Sequence, residues 1–128
     1  MNLEDRLAAF EKLGNYIDAI DEGDFSELAQ RARDENSWFT TESIRQSLAG
    51  IGKLIDSNKL KQWTSRYHLN TSKTKNIALV LAGNIPAVGF HDLLTVLISG
   101  NIVQVKLSSK DRILISFLLE RLFEIEPR

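Results

Sequence analysis

Asn84 stands between a glycine and a proline in Ala82-Gly83-Asn84-Ile85-Pro86, directly after the apolar run Ile77-Ala78-Leu79-Val80-Leu81. Its side-chain amide is a neutral donor, the type of group that stabilises negative charge developing on a carbonyl oxygen. An asparagine here could equally cap a helix, and the local sequence leaves both readings open. Lys106-Leu107-Ser108-Ser109 follows a second apolar segment and supplies a cation and two hydroxyls. Beside free N–H groups at a helix start, these would suit an anionic or nucleotide ligand; otherwise Lys106 is a solvated strand end. Nucleophiles are scarce. The chain has no cysteine, hence no thiolate nucleophile, thiolate metal site or disulfide framework. Ser99, Ser108 and Ser109 lack a nearby histidine–carboxylate arrangement. His91 and Asp92 are adjacent and on a helix would diverge by about 100°, so His91 reads as a packed or capping residue. No metal-ligand pattern is present.

The elements that must position these groups fall into two parts. Residues 1–70 read as helices. Leu3, Leu7, Phe10, Leu13, Ile17 and Ile20 recur every three or four positions and form one apolar stripe. Asp24 and Glu27 have the spacing of a capping box for a second helix, and Trp38-Phe39-Thr40-Thr41-Glu42 that of a staple and cap for a third. The third helix carries Ile44, Leu48, Ile51 and Ile55 on one face; Asp56-Ser57-Asn58 breaks it before a short fourth. Trp38, Trp63 and Tyr67 read as core or interface anchors.

Residues 76–128 have a different pattern. Ile77–Leu81 has the length and continuity of a parallel strand covered on both faces. Pro86 suits the first turn of a helix running to Ser99, with Gly100 as its stop. Ile102–Leu107 is a second strand, and Ser108-Ser109-Lys110-Asp111 reads as a Ser-x-x-Asp cap before a helix carrying Leu114, Leu118, Leu122 and Ile125. The fold class is therefore α/β, a helical segment followed by a βαβα unit with an incomplete sheet. Two parallel strands leave both edges unpaired, so either a second copy adds to the sheet or this chain is the first part of something longer.

The composition is that of a globular protein: 128 residues, 43% hydrophobic, 26% charged, formal net charge -1. Near-neutral charge gives no argument for a nucleic acid or an anionic membrane as partner, and Ser72-Lys73-Thr74-Lys75 reads as a solvated linker. No signal peptide is visible, and no apolar run approaches the roughly 18–20 residues of a membrane span. A cytoplasmic location is the expectation.

Residues 82–109, AGNIPAVGFHDLLTVLISGNIVQVKLSS, resemble the first nucleotide-binding segment of the aldehyde dehydrogenase superfamily. The shared order is strand, Asn-x-Pro, helix, Gly-Asn, strand, then lysine and small polar residues. The closer similarity is to the acyl-CoA reductase branch, related to the reductase component of the bacterial bioluminescence fatty-acid reductase. It extends to Asn36-Ser37-Trp38-Phe39-Thr40 and Gly89-Phe90-His91-Asp92-Leu93-Leu94. This resemblance implies a partial Rossmann-like, aldehyde dehydrogenase-like fold and the N-terminal portion of an enzyme. The implied reaction reduces an acyl-CoA or other acyl thioester to an aldehyde, with NADPH (NADH remaining possible) and a cysteine acyl-enzyme. It further implies that Asn84 stabilises the oxyanion, that Lys106, Ser108 and Ser109 face the cofactor, and that Ile85 and Pro86 wall the same turn. Ser109 takes the place of a glutamate found in many aldehyde dehydrogenases, removing a charge that would repel a 2′-phosphate. Two departures are visible: the Asn84–Lys106 interval is one residue shorter than in ordinary aldehyde dehydrogenases, and the nucleophilic cysteine is absent.

Two other functions fit the same residues. A small NADP(H)-binding module would bind nucleotide without turnover. A helical oligomerisation or interaction domain would use the stripe from Leu3 to Ile20, and the strand edges favour self-association in either case.

Overall fold

The computed structural model describes residues 1–69 and 73–128. The expected boundary at residue 70, and Ser72 of the basic stretch, lie outside these. Four helices come first: α1 (Leu3–Asp18), α2 (Glu22–Glu35), α3 (Thr41–Leu54) and α4 (Ser57–Thr64). The spacing of the α1 stripe does what periodicity requires. Phe10, Leu13 and Ile17 are buried, and Leu3, Leu7 and Ile20 pack at the margin.

Each of these helices begins on a side-chain acceptor. Asn2, Asp21, Thr40 and Asp56 accept from the N–H groups of Asp5, Asp24, Ser43 and Lys59. The cap of α2 is thus Asp21, not the Asp24–Glu27 pair. Asp21 has the extended backbone a cap needs, which places Asp24 inside the first turn. At α3, Thr40 and Ser43 form a reciprocal capping box. Phe39 is buried beneath it while Trp38 is 90% exposed. Only one of two successive residues in this loop points inward, so Trp38 is not a core anchor. Tyr67 is also exposed, whereas Trp63 packs against the core.

The remaining elements are β1 (Asn76–Val80), α5 (Phe90–Ile98), β2 (Ile102–Lys106) and α6 (Arg112–Ile125). β1 and β2 pair in parallel, with Asn76 opposite Ile102 and Val80 opposite Lys106. The expectation of a strand covered on both faces is corrected. Leu79, Val103 and Val105 pack against the core, but Val80 is 80% and Ile102 55% exposed. Helices cover a single face of this two-stranded sheet, so its other face has nothing packed on it among the described residues.

Pro86 does not open α5, which begins at Phe90. The reason lies in Ala87, whose φ of 55° is left-handed and incompatible with a helix running through it. At the other end, Gly100 takes φ 83° and stops α5 as its position suggested. The Arg6 guanidinium lies beside it, and its Nε donates to the Ile98 carbonyl at 3.0 Å. A cation there satisfies an orphan carbonyl and complements the helix dipole.

A continuous apolar core joins the two parts of the chain. α1 packs against α3, α4, α5 and α6, and Phe10 meets Phe90 edge to face with centroids 6.4 Å apart. Ile44, Leu94, Leu114 and Leu118 are fully enclosed.

Candidate functional site

Parallel strands direct their carboxyl ends to one side of the sheet, where the connections into the following helices are free to carry ligand groups. Here those connections are residues 81–89 and 107–111. They are coupled at their roots. The Leu81 N–H donates to the Lys106 carbonyl at 3.0 Å, extending the ladder by one bond. Gly83 then passes so close to Ser108 that a Cβ on it would overlap the Ser108 hydroxyl and lie 2.8 Å from the Ser108 Cβ. Only glycine permits that approach.

Beyond Gly83 the chain makes a compact turn. The Val88 N–H donates to the Ile85 carbonyl at 3.1 Å, and the Phe90 N–H to the Ala87 carbonyl at 3.0 Å. Two side chains from distant segments hold this turn. Asn36, just after α2, donates from Nδ2 to the Gly83 carbonyl at 3.4 Å, while its Oδ1 accepts from the Trp38 N–H at 3.0 Å. On the far side, Asp111 accepts from the Ala87 N–H through Oδ2 at 2.7 Å.

Within this frame Asn84 is exposed, and among the described residues its side-chain amide has no hydrogen-bond partner. The capping alternative is thereby settled, because α5 starts six residues later with Gly89 at its N-cap and no side-chain cap. Ile85 is 53% exposed beside it, whereas Pro86 is buried against the protein. Lys106 ends β2 opposite Val80, on the uncovered face of the sheet. Ser108 is half-buried and its Oγ accepts from the Lys110 N–H at 3.2 Å; Ser109 is exposed. Among the described residues neither Lys106 nor Lys110 forms an ion pair. Asn84 thus follows β1 and Lys106 ends the adjacent β2, with Ser108 of the second connection against Gly83 of the first. His91 lies apart on α5, exposed, with its ring 6.2 Å from that of Trp63.

The expected free N–H groups at the start of α6 are not free. The Glu35 carboxylate, from the end of α2, accepts from the Arg112 N–H at 2.6 Å and the Ile113 N–H at 3.2 Å. A built-in carboxylate therefore occupies the place that a phosphate would take at this helix start. The Ser-x-x-Asp reading also changes. Ser108 accepts from Asp111 through its backbone carbonyl, and Asp111 occupies the N-cap position without capping.

Asp111 is the functional-region residue that the sequence least reveals. It is only 2% exposed, and Oδ1 is the one buried side-chain polar atom without a partner among the described residues. Burial pushes its carboxyl up to about 7, with the Glu35 charge adding to the rise and the Ala87 N–H opposing it. In sequence it is an aspartate before an apolar helix, which is how an ordinary exposed cap looks.

A cleft of about 330 Å³ opens at the opposite end of the sheet, lined by Arg6, Thr74, Gly100, Asn101 and Ile102 among others. Asn84, Ile85, Pro86, Lys106, Ser108, Ser109 and Asp111 are not among its lining residues. No helix among the described residues is long and apolar enough to cross a membrane.

A family model described as Acyl-CoA reductase (LuxC) matches residues 11–128, and the chain belongs to that family. No curated protein and no solved structure matches it.

Proposed function

From this membership we propose that the chain is the N-terminal portion of an NADPH-dependent acyl-CoA reductase of aldehyde dehydrogenase-like fold, acting in the cytoplasm. The substrate is an acyl-CoA or related acyl thioester and the product an aldehyde. A cysteine outside this chain attacks the thioester carbon, and coenzyme A leaves as its thiolate. The negative charge that forms on the carbonyl oxygen during this attack falls to Asn84. The observation that carries the reading is the Asn84 amide, exposed at the carboxyl end of β1 with no partner among the described residues. A donor held by its backbone and left unengaged needs little rearrangement to meet a developing oxyanion.

NADPH, when bound, supplies the hydride that releases the acyl group as aldehyde. Lys106 fits one part of such a cofactor, since it is an exposed cation without a counter-ion among the described residues and suits a ribose or 2′-phosphate. The exposed hydroxyl of Ser109 supports the same region. Ser108 shapes the connection through Gly83, and Ile85 with Pro86 forms the wall beside Asn84. The start of α6 takes no part in binding phosphate, because Glu35 already fills it. Residues 1–70 serve as a helical platform for the nucleotide-binding unit of residues 76–128. The uncovered sheet face and edges meet either the rest of the enzyme or a second copy.

The test is turnover followed at the nicotinamide absorbance with a long-chain acyl-CoA and NADPH. The 128-residue chain alone is expected to be inactive, and the longer protein containing the nucleophile active. Turnover by the short chain would overturn the reading. Saturable NADPH binding by the short chain, without turnover, would favour a binding module instead.

A further inference from the structure

The turn that carries Asn84 is not a conformation its own residues prefer. Ala87 sits at φ 55°, a region that is strained for a non-glycine residue and persists only where the surroundings over-determine it. The surroundings are specific. Ala87 is buried, and its N–H donates to Asp111 Oδ2 at 2.7 Å, so a carboxylate 24 positions away closes the turn from inside the protein. That carboxylate makes no competing bond among the described residues. It does not cap α6, whose first N–H groups are taken by Glu35, and its second oxygen has no partner among the described residues. A buried, half-satisfied carboxyl is costly to keep, and among the described residues the Ala87 N–H is its one hydrogen-bond partner.

We propose that Asp111 is a positioning residue for Asn84, its enclosed carboxyl locking the left-handed turn at Ala87 that presents the Asn84 amide beyond β1. The catalytic meaning of this lock rests on the oxyanion reading of Asn84; the lock itself does not. The charged groups around Asp111 are few. Glu35 faces it from the end of α2 and is paired with Arg112 at 3.7 Å, Lys110 precedes it in the chain, and the turn packed against it contributes an N–H and no titratable group.

The test uses the 128-residue chain, with amide exchange and ¹H–¹⁵N resonances of Ala87 and of the Asn84 side chain. In Asp111→Leu, which removes the acceptor, Ala87 exchange should accelerate by about tenfold and the Asn84 side-chain resonances should shift. Asp111→Asn keeps an acceptor of the same shape and should restore both. In the unaltered chain the two sets of resonances should move together through a step near pH 7 that is missing from Asp111→Asn, and this comparison still decides if Asp111→Leu does not fold. A folded Asp111→Leu with Ala87 and Asn84 unchanged, or Asn84 resonances indifferent to the Asp111 step, would overturn the proposal. Its failure is separable from that of the oxyanion reading, which is judged by turnover of an Asn84 variant.

Discussion

Glu35 Oε1 accepts the Arg112 N–H at 2.6 Å across 77 positions of sequence, so the last residue of α2 caps the first turn of α6. The bond ties the helical part of the chain to the connection that follows β2, and it does so with a charge-assisted acceptor at a helix N-terminus. Glu35→Ala should therefore lower stability by about 1–2 kcal/mol, more than an exposed surface substitution. Glu35→Gln should recover part of the loss. Chemical denaturation of the three proteins measures this directly.

Asp111 makes stability depend on pH in an unusual direction. Its carboxyl lies at about 7 in the folded chain against about 3.9 when unfolded. Between these values the folded state keeps a proton that the unfolded chain has released. Stability from this group is thus fully present below about pH 4 and declines as pH rises to about 7, by up to about 4 kcal/mol. Asp111→Asn has no such proton to lose. The difference in urea midpoint between Asp111→Asn and the unaltered chain should grow in favour of the variant from pH 5 to pH 8.

The contact between Gly83 and Ser108 makes a paired prediction. A methyl at position 83 would overlap the Ser108 side chain, so Gly83→Ala should cost about 1–3 kcal/mol. Adding Ser108→Gly should return a substantial part of it. Simple additivity of the two substitutions in a double-mutant cycle would show that the connections separate without strain.

Asn84→Ala should divide stability from catalysis. The residue is exposed, and its side chain has no partner among the described residues, so the stability of the chain should change by less than about 0.5 kcal/mol. In the longer protein with its nucleophile, kcat should fall about 10²–10³-fold with little change in KM. An unchanged kcat would remove the oxyanion role.

Lys106→Ala should weaken NADPH binding by about 10–100-fold in the protein carrying the whole cofactor site, the range of a lost charge-assisted bond. NADH should be affected less, because it lacks the 2′-phosphate. Calorimetric titration of both nucleotides checks the contrast.

The amphipathic stripes of α1 and α3, the strand–helix–strand order after residue 76 and the stop at Gly100 were all legible in the sequence. So was a cap for α3 within the segment Trp38–Glu42. These features depend on periodicity and on interactions spanning three or four residues, which the linear order of residues contains. Asn84 could also be singled out as a candidate from its place between Gly83 and Pro86.

What sequence left open, tertiary structure decided. Asn84 is a free donor rather than a cap because Ala87 turns left-handed and delays α5 to Phe90. Asp111 is enclosed, and Glu35 rather than a ligand fills the start of α6. The apolar run of β1 is covered on one face only. Each outcome turns on which distant segments meet. A buried polar group takes whichever partner the fold brings within reach, and strand burial depends on what packs above and below it. Neither is encoded in local spacing. Sequence by itself determined the elements and named Asn84; packing between α2, the Asn84 turn and α6 determined how that residue is held.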